Sequence, residues 1–229
     1  MNALTRRLAL FGHSVQRPML RRRLGRVVVE EIDGVALVVL PQVFNPVLFR
    51  TGEILARCVA SSPFAAPLSG ESQALDVGTG SGAGAVFAAR RGFRVTAVDL
   101  NPEAVRCVRV NALLNGLEDR IDGRQGDLFA PVAGERFDLV LFNPPFFRGS
   151  PRDRLDLAWR GTDVLERFAA GLPSMLTERG TALLCLSTDG DGEALLADLR
   201  GRGFRMETAA SRDLGNEVVT VHALGRMPG

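Results

Sequence analysis

A chain of 229 residues, 46% hydrophobic and 24% charged, is long enough to bury the core of one sizeable domain and excludes disorder, a collagen repeat and a disulfide scaffold. Basic and acidic residues number 28 and 26, a net charge of +2 that is too even to identify a polyanionic partner, although every basic residue is an arginine. Cys58, Cys107 and Cys185 lie far apart without a CxxC pair, which argues against a zinc knuckle or redox dithiol and fits a reducing compartment, the cytoplasm.

Residues 1–25 are rich in arginine and compatible with a helix, with Leu4, Leu8 and Phe11 on one face before Pro18 interrupts. They lack the apolar run and small-residue cleavage site of a secretory signal, and no stretch of the chain reaches the roughly 18 to 20 apolar residues of a membrane span. Two β-branched runs around Asp33-Gly34 predict a hairpin over 26–40, and a helix is expected over 48–61. Pro63, Pro67, Ser69 and Gly70 then mark a linker, dividing an accessory segment, 1–72, from a main domain, 73–229.

From Gln73 onward short apolar runs alternate with helical segments, the pattern of a parallel α/β sheet. Strands are expected at 74–77, 93–100, 120–125, 137–142 and 181–187, with helices at 84–92, 102–116 and 192–203 and a broken helix over 162–176. Asn101 and Pro102 supply the cap and first turn of the second of these helices. FRMETAA and EVVTVHAL follow one another without a helix between them, so the series should end in an antiparallel hairpin.

The first of these strands runs into Asp76-Val77-Gly78-Thr79-Gly80-Ser81-Gly82. Glycines there allow a tight turn and let a ligand lie against main-chain amides at a helix N-terminus. Gly78, Gly80 and Ala83 also satisfy a dinucleotide fingerprint, with Asp99 about 20 residues on, where a ribose-binding carboxylate belongs. The glycines alone therefore leave nicotinamide and sulfonium cofactors both open. Two further acids decide. Asp76, two positions before the first glycine, suits a cationic amino-acid group and sits poorly beside a pyrophosphate. Asp127 follows the third strand, placed to accept from an adenine amine at the carboxyl edge of the sheet.

With these residues in view, the chain resembles the class I S-adenosylmethionine-dependent methyltransferases: DVGTGSG is similar to their first motif, VDLN to their acidic second motif and GDLF to their adenine-contacting segment. The resemblance covers about 73–224 and implies a Rossmann-like seven-stranded α/β sheet with its last strand antiparallel, here preceded by a short helix and hairpin. It also implies S-adenosylmethionine as cofactor. Asp76 with Gly78, Thr79, Gly80 and Gly82 would take the methionine part, Asp99 with Leu100 the ribose, and Asp127 with Leu128 the adenine.

After the fourth strand comes Asn143-Pro144-Pro145-Phe146. Two prolines fix the backbone and remove two N–H donors, so the Asn143 side-chain oxygen and the Pro144 carbonyl can present acceptors close together. A planar NH2 nucleophile requires that arrangement, because two acceptors gripping its hydrogens orient a lone pair otherwise held in the π system. Phe146 would stack on the flat substrate. The tetrapeptide resembles the (N/D)PP(Y/F) signature of methyltransferases acting on planar nitrogens, in which Asn143 also borders the cofactor.

PQVFNPVLFRTGEIL and LAWRGTDVLERF further resemble segments of the HemK-type protein glutamine N5-methyltransferases, which implies a glutamine side chain of a protein as acceptor. This chain differs in having Phe146 where tyrosine is usual, and only a loose echo, around Thr51, of the family's RPxTE run. Nucleic acid (adenine N6 or guanine N2), a small metabolite, and a non-catalytic cofactor-binding scaffold are the alternatives. His13 and His222 have no partner at metal spacing, so no metal is expected. Cys185 reads as core, and Trp159 beside Arg160 is a candidate wall of the substrate pocket.

Overall fold

The computed structural model describes residues 25–145, 147–150, 156–190 and 192–226. The helix expected over 1–25 therefore lies outside the described residues except for Gly25, as does Phe146. Among the described residues no helix is long and apolar enough to cross a membrane.

The hairpin forms as expected from β1 (Val28–Ile32) and β2 (Val35–Val39). Asp33 and Gly34 both adopt positive φ, 49° and 78°, the backbone that a two-residue turn between right-twisted strands demands. Helix α1 (Thr51–Ser61) starts three residues later than predicted. Arg50, at φ 60°, lies outside right-handed helical space and fixes the start.

The alternating pattern beyond residue 72 yields β3 (Gln73–Val77), α2 (Ala83–Arg90), β4 (Arg94–Asp99), α3 (Pro102–Leu114), β5 (Ile121–Gln125) and β6 (Phe137–Phe142). After the short parallel pair β7 (Phe147–Arg148) and β8 (Arg160–Gly161) come α4 (Val164–Met175), β9 (Leu176–Ser187), α5 (Gly192–Gly201), β10 (Phe204–Asp213) and β11 (Val218–Arg226). Seven strands form one sheet in the order β10-β11-β9-β6-β3-β4-β5. Strand β11 inserts between β10 and β9, antiparallel to both, and the pairings from β9 through β5 are parallel. This is the expected sheet with its last strand antiparallel.

Strand alternation explains why both faces are covered. Ala74, Leu139, Leu141, Leu183 and Cys185 face a core shared with α1, α2 and the hairpin. Their neighbours Leu75, Val140, Phe142, Leu184 and Leu186 face a second core built on α4 and α5. Two details depart from the sequence reading. Helix α4 is continuous through Pro173 rather than broken, because the proline falls in its last turn and its missing N–H removes a single hydrogen bond. Strand β9 begins at Leu176 rather than Thr181, through a register shift opposite Phe137 to Leu139 that the polar residues 177–180 did not announce.

A buried amide helps to bind the hairpin to the sheet, beside the core packing of Ile32, Val35 and Leu37. Asn111 on α3, 0% exposed, accepts from Val38 N–H at 2.7 Å and donates to Val38 C=O at 2.7 Å and to Ser81 C=O at 2.8 Å. Its side chain stands in for a neighbouring strand along β2 and also holds the glycine turn. Asn111→Ala leaves three backbone groups, two of them on the partly buried Val38, without that partner and should lower unfolding free energy by about 2 to 4 kcal/mol, measured by urea denaturation, with early proteolysis within 26–40.

Candidate active site

At the carboxyl edge of β3, β4 and β6 lies a cavity of about 320 Å³, at the place where open α/β sheets bind ligands. Its floor is the glycine turn. Gly78, Gly80 and Gly82 take φ of 64°, 55° and 84°. At Gly82 a side chain is excluded twice over, by the left-handed backbone and because a Cβ would stand 2.5 Å from Val108 Cγ2.

Asp76 is 4% exposed, and its Oδ2 accepts from the Thr79 hydroxyl at 2.7 Å and Ala85 N–H at 2.9 Å. Burial pushes its carboxyl up to about 6; the two hydrogen bonds act against that, and the Asp99 charge reinforces it. Gly84 leaves room for it, since a Cβ there would lie 3.1 Å from both carboxylate oxygens. Asp99 is fixed by Gly80 N–H at 2.9 Å and Asn101 N–H at 2.8 Å. Burial raises its carboxyl too, against those two bonds. The turn thus presents two carboxylates whose desolvation is only partly offset by protein donors, a setting that favours a cationic, hydroxyl-bearing ligand.

The end of the cavity at Asp127 and Leu128 is more crowded than the sequence implies. Asp127 and Leu128 line the cavity, but Arg167 of α4 pairs with Asp127 at 2.6 Å and with Asp163 at 3.0 Å. Leu128 holds φ 48°, and Leu100, 47% exposed, forms part of the rim.

Asn143, Pro144 and Pro145 line the cavity beyond β6. The Asn143 Nδ2 donates to Thr51 Oγ1 at 3.2 Å. Its Oδ1 is buried with no hydrogen-bond partner among the described residues, and an orphaned acceptor of that kind costs about 1 to 3 kcal/mol unless something arrives to donate to it. The structure therefore brings together the acids, the glycines and Asn143-Pro144-Pro145 around one space.

Sequence reasoning missed the opposite wall. Gln42, Phe44, Pro46, Gly52 and Leu55 come from the accessory segment, and Arg167 from α4. Phe44 stacks on Phe49 at 5.1 Å, and Trp159 stands edge-on to Phe49 at 5.0 Å. Trp159 thus braces the wall, with Ala158 and Arg160 beside it lining the space. The cluster FNPVLF held the signal, since two large aromatics, Phe44 and Phe49, on either side of Pro46 near a loop require a partner surface. Cys58, Cys107 and Cys185 are buried and free. No group of three metal-ligating side chains exists among the described residues.

Comparison with known proteins identifies the fold and the family. A Methanocaldococcus jannaschii protein, provisionally named a protein N5-glutamine methyltransferase, is 28% identical over 189 residues, covering 79% of this chain and 90% of that protein. The human methyltransferase HEMK2 is 30% identical over 174 residues, 69% of this chain and 79% of that protein. Among solved structures the T. thermophilus 16S rRNA methyltransferase RsmC, crystallised with AdoMet and guanosine, superposes with a TM-score of 0.62 at 23% identity, over 88% of this chain and 50% of that one. The methyltransferase small domain profile spans residues 50–202, from the start of α1 through the glycine turn to α5, and the chain belongs to that family.

Proposed function

We propose that this chain is an S-adenosylmethionine-dependent N-methyltransferase whose acceptor is a planar NH2 group, foremost the side-chain amide of a protein glutamine. The observation that carries the reading is Asn143 Oδ1, a buried acceptor without a donor at the wall of a cavity floored by carboxylates. When bound, S-adenosylmethionine supplies an electrophilic methyl group on a positively charged sulfur.

The residues present fit that donor: Asp76 and the Gly78 to Gly82 turn for the charged amino-acid part, Asp99 for ribose hydroxyls, Asp127 and Leu128 for adenine. Arg167 makes the last contact conditional, because its guanidinium already occupies the Asp127 carboxylate. Asn143 Oδ1 and the Pro144 carbonyl accept the two hydrogens of the acceptor NH2 and turn its lone pair toward the methyl group. Asn143 takes no proton, since an amide oxygen is too weak a base; the proton leaves the alkylated nitrogen for water. The walls of Phe44 and Leu55 keep water from the reacting centre.

The names of the M. jannaschii and human relatives support glutamine. The likeness to RsmC and the aromatic wall of Phe44, Phe49 and Trp159 support a nucleobase as second reading. Incubation with methyl-labelled donor and cell extract separates them. Label that survives RNase, disappears with protease and yields methylglutamine on hydrolysis is the expected result. Label lost to RNase moves the acceptor to RNA, and label in neither fraction moves it to a small molecule. No transfer to any fraction, with the donor bound, would reduce the protein to a cofactor-binding scaffold.

A further inference from the structure

Asn143 lines the cavity, and the residue that holds its amide nitrogen comes from the accessory segment 92 positions earlier in the chain. Thr51 is 3% exposed, and among the described residues it is Gly52, not Thr51, that lines the cavity. Thr51 therefore stands behind Asn143 and touches it from the side away from the ligand.

The backbone around Thr51 is held in place with unusual thoroughness. Arg50, just before it, sits at φ 60° and ψ −35°, a conformation sparsely populated by non-glycine residues that persists only where the surroundings impose it. Thr51 N–H donates to Phe49 C=O at 2.7 Å, Glu53 N–H to Pro46 C=O at 3.1 Å, and Cys185 Sγ of β9 to Thr51 C=O at 3.6 Å. A Cβ on Gly52 would meet Pro46 Cβ at 2.7 Å, so α1 approaches the wall as closely as its chain allows. Asn45, 1% exposed, closes the turn by accepting from Val47 and Leu48 N–H at 3.1 and 2.8 Å.

We propose that Thr51 is a positioning residue for methyl transfer: its hydroxyl accepts from the amide nitrogen of Asn143 and anchors that side chain where Oδ1 can meet the incoming NH2. The inference rests on the function proposed above. It assigns a role to the strained backbone at Arg50, which sets the height of the hydroxyl. It also makes the accessory segment part of the acceptor site.

The test compares Thr51→Val, Thr51→Ser, Asn143→Ala and the double variant Thr51→Val/Asn143→Ala in the full chain. Three readouts are used: the initial rate of label transfer from S-adenosylmethionine to cell-extract protein, the Kd for S-adenosylhomocysteine by calorimetry, and the Asn143 side-chain NH2 signals by NMR. Valine keeps the shape and removes the acceptor. Thr51→Val should lower the rate roughly 10- to 100-fold, the cost of one lost buried hydrogen bond and a turned amide, with Kd within about twofold. Serine should restore most of the rate, and Thr51→Val should add nothing in the Asn143→Ala background, because the hydroxyl acts through that side chain. One Asn143 amide proton should exchange slowly in the wild type and rapidly in Thr51→Val. A Thr51→Val rate equal to wild type overturns the inference. So does a Kd that rises in step with the loss of rate, which would put Thr51 at the donor, and so do losses that multiply in the double variant. If wild type methylates nothing, the proposed function fails while the NMR signals still show whether Thr51 holds the amide.

Discussion

Replacing Asn143 by alanine should lower methyl transfer by about 10² to 10⁴, the range seen when a preorganised transition-state contact and the alignment it gives are removed together, while the Kd for S-adenosylhomocysteine changes less than about twofold. The asymmetry follows from geometry. Asp76, Asp99 and the glycine turn are fixed by Thr79, Ala85, Gly80 and Asn101, none of which depends on Asn143. Among the described residues the Asn143 oxygen has no donor, so its deletion costs no hydrogen bond to them. Asn143→Asp keeps an oxygen acceptor and should lose less. Radiolabel transfer beside calorimetry checks both numbers. An equal loss of rate and affinity would make Asn143 structural.

Asp76 should make donor affinity depend on pH. Its carboxyl lies near 6 in the free protein because it is buried, and the ligand's cationic end needs the charged form. Affinity should therefore be full well above 6 and fall about tenfold per unit below it. Calorimetry from pH 5 to 8 reads the slope, and a flat profile would remove Asp76 from the contact. Asp76→Asn should abolish the slope and weaken binding about 100-fold at pH 8. The same variant should be more stable without ligand. The native carboxyl is raised above its unfolded value of 3.8, so protein stability falls as pH rises from about 4 through 6. Removing that ionisation should return about 3 kcal/mol at pH 8 and nothing at pH 4. An asparagine oxygen can still accept from Thr79 and Ala85.

The floor of the site was legible because its chemistry is local. Gly78, Gly80 and Gly82 stand together in sequence since one turn needs all of their backbones, and Asp76 and Asp99 end adjacent strands whose apolar alternation is plain. Asn143-Pro144-Pro145 was legible for the same reason. The opposite wall was not, because Phe44, Gly52 and Leu55 reach the cavity only through the tertiary approach of α1, which no periodicity records. Arg167 was hidden likewise: on α4 it reads as an exposed charge four residues after Asp163, and its contact with Asp127 spans 40 positions. The start of β9 was missed because residues 177–180 fall in a register irregularity between the paired Leu176 and Thr181 and carry no hydrophobic pattern.

The single amide of Asn111 has a consequence for engineering. It binds Val38 on one side and Ser81 of the glycine turn on the other, so the hairpin and the floor of the site are braced by one side chain. A chimera that grafts a foreign recognition module at the proline-rich linker near residue 70 would discard the hairpin and Thr51 and leave that brace empty. A functional graft must be spliced ahead of Val28, carrying both over intact.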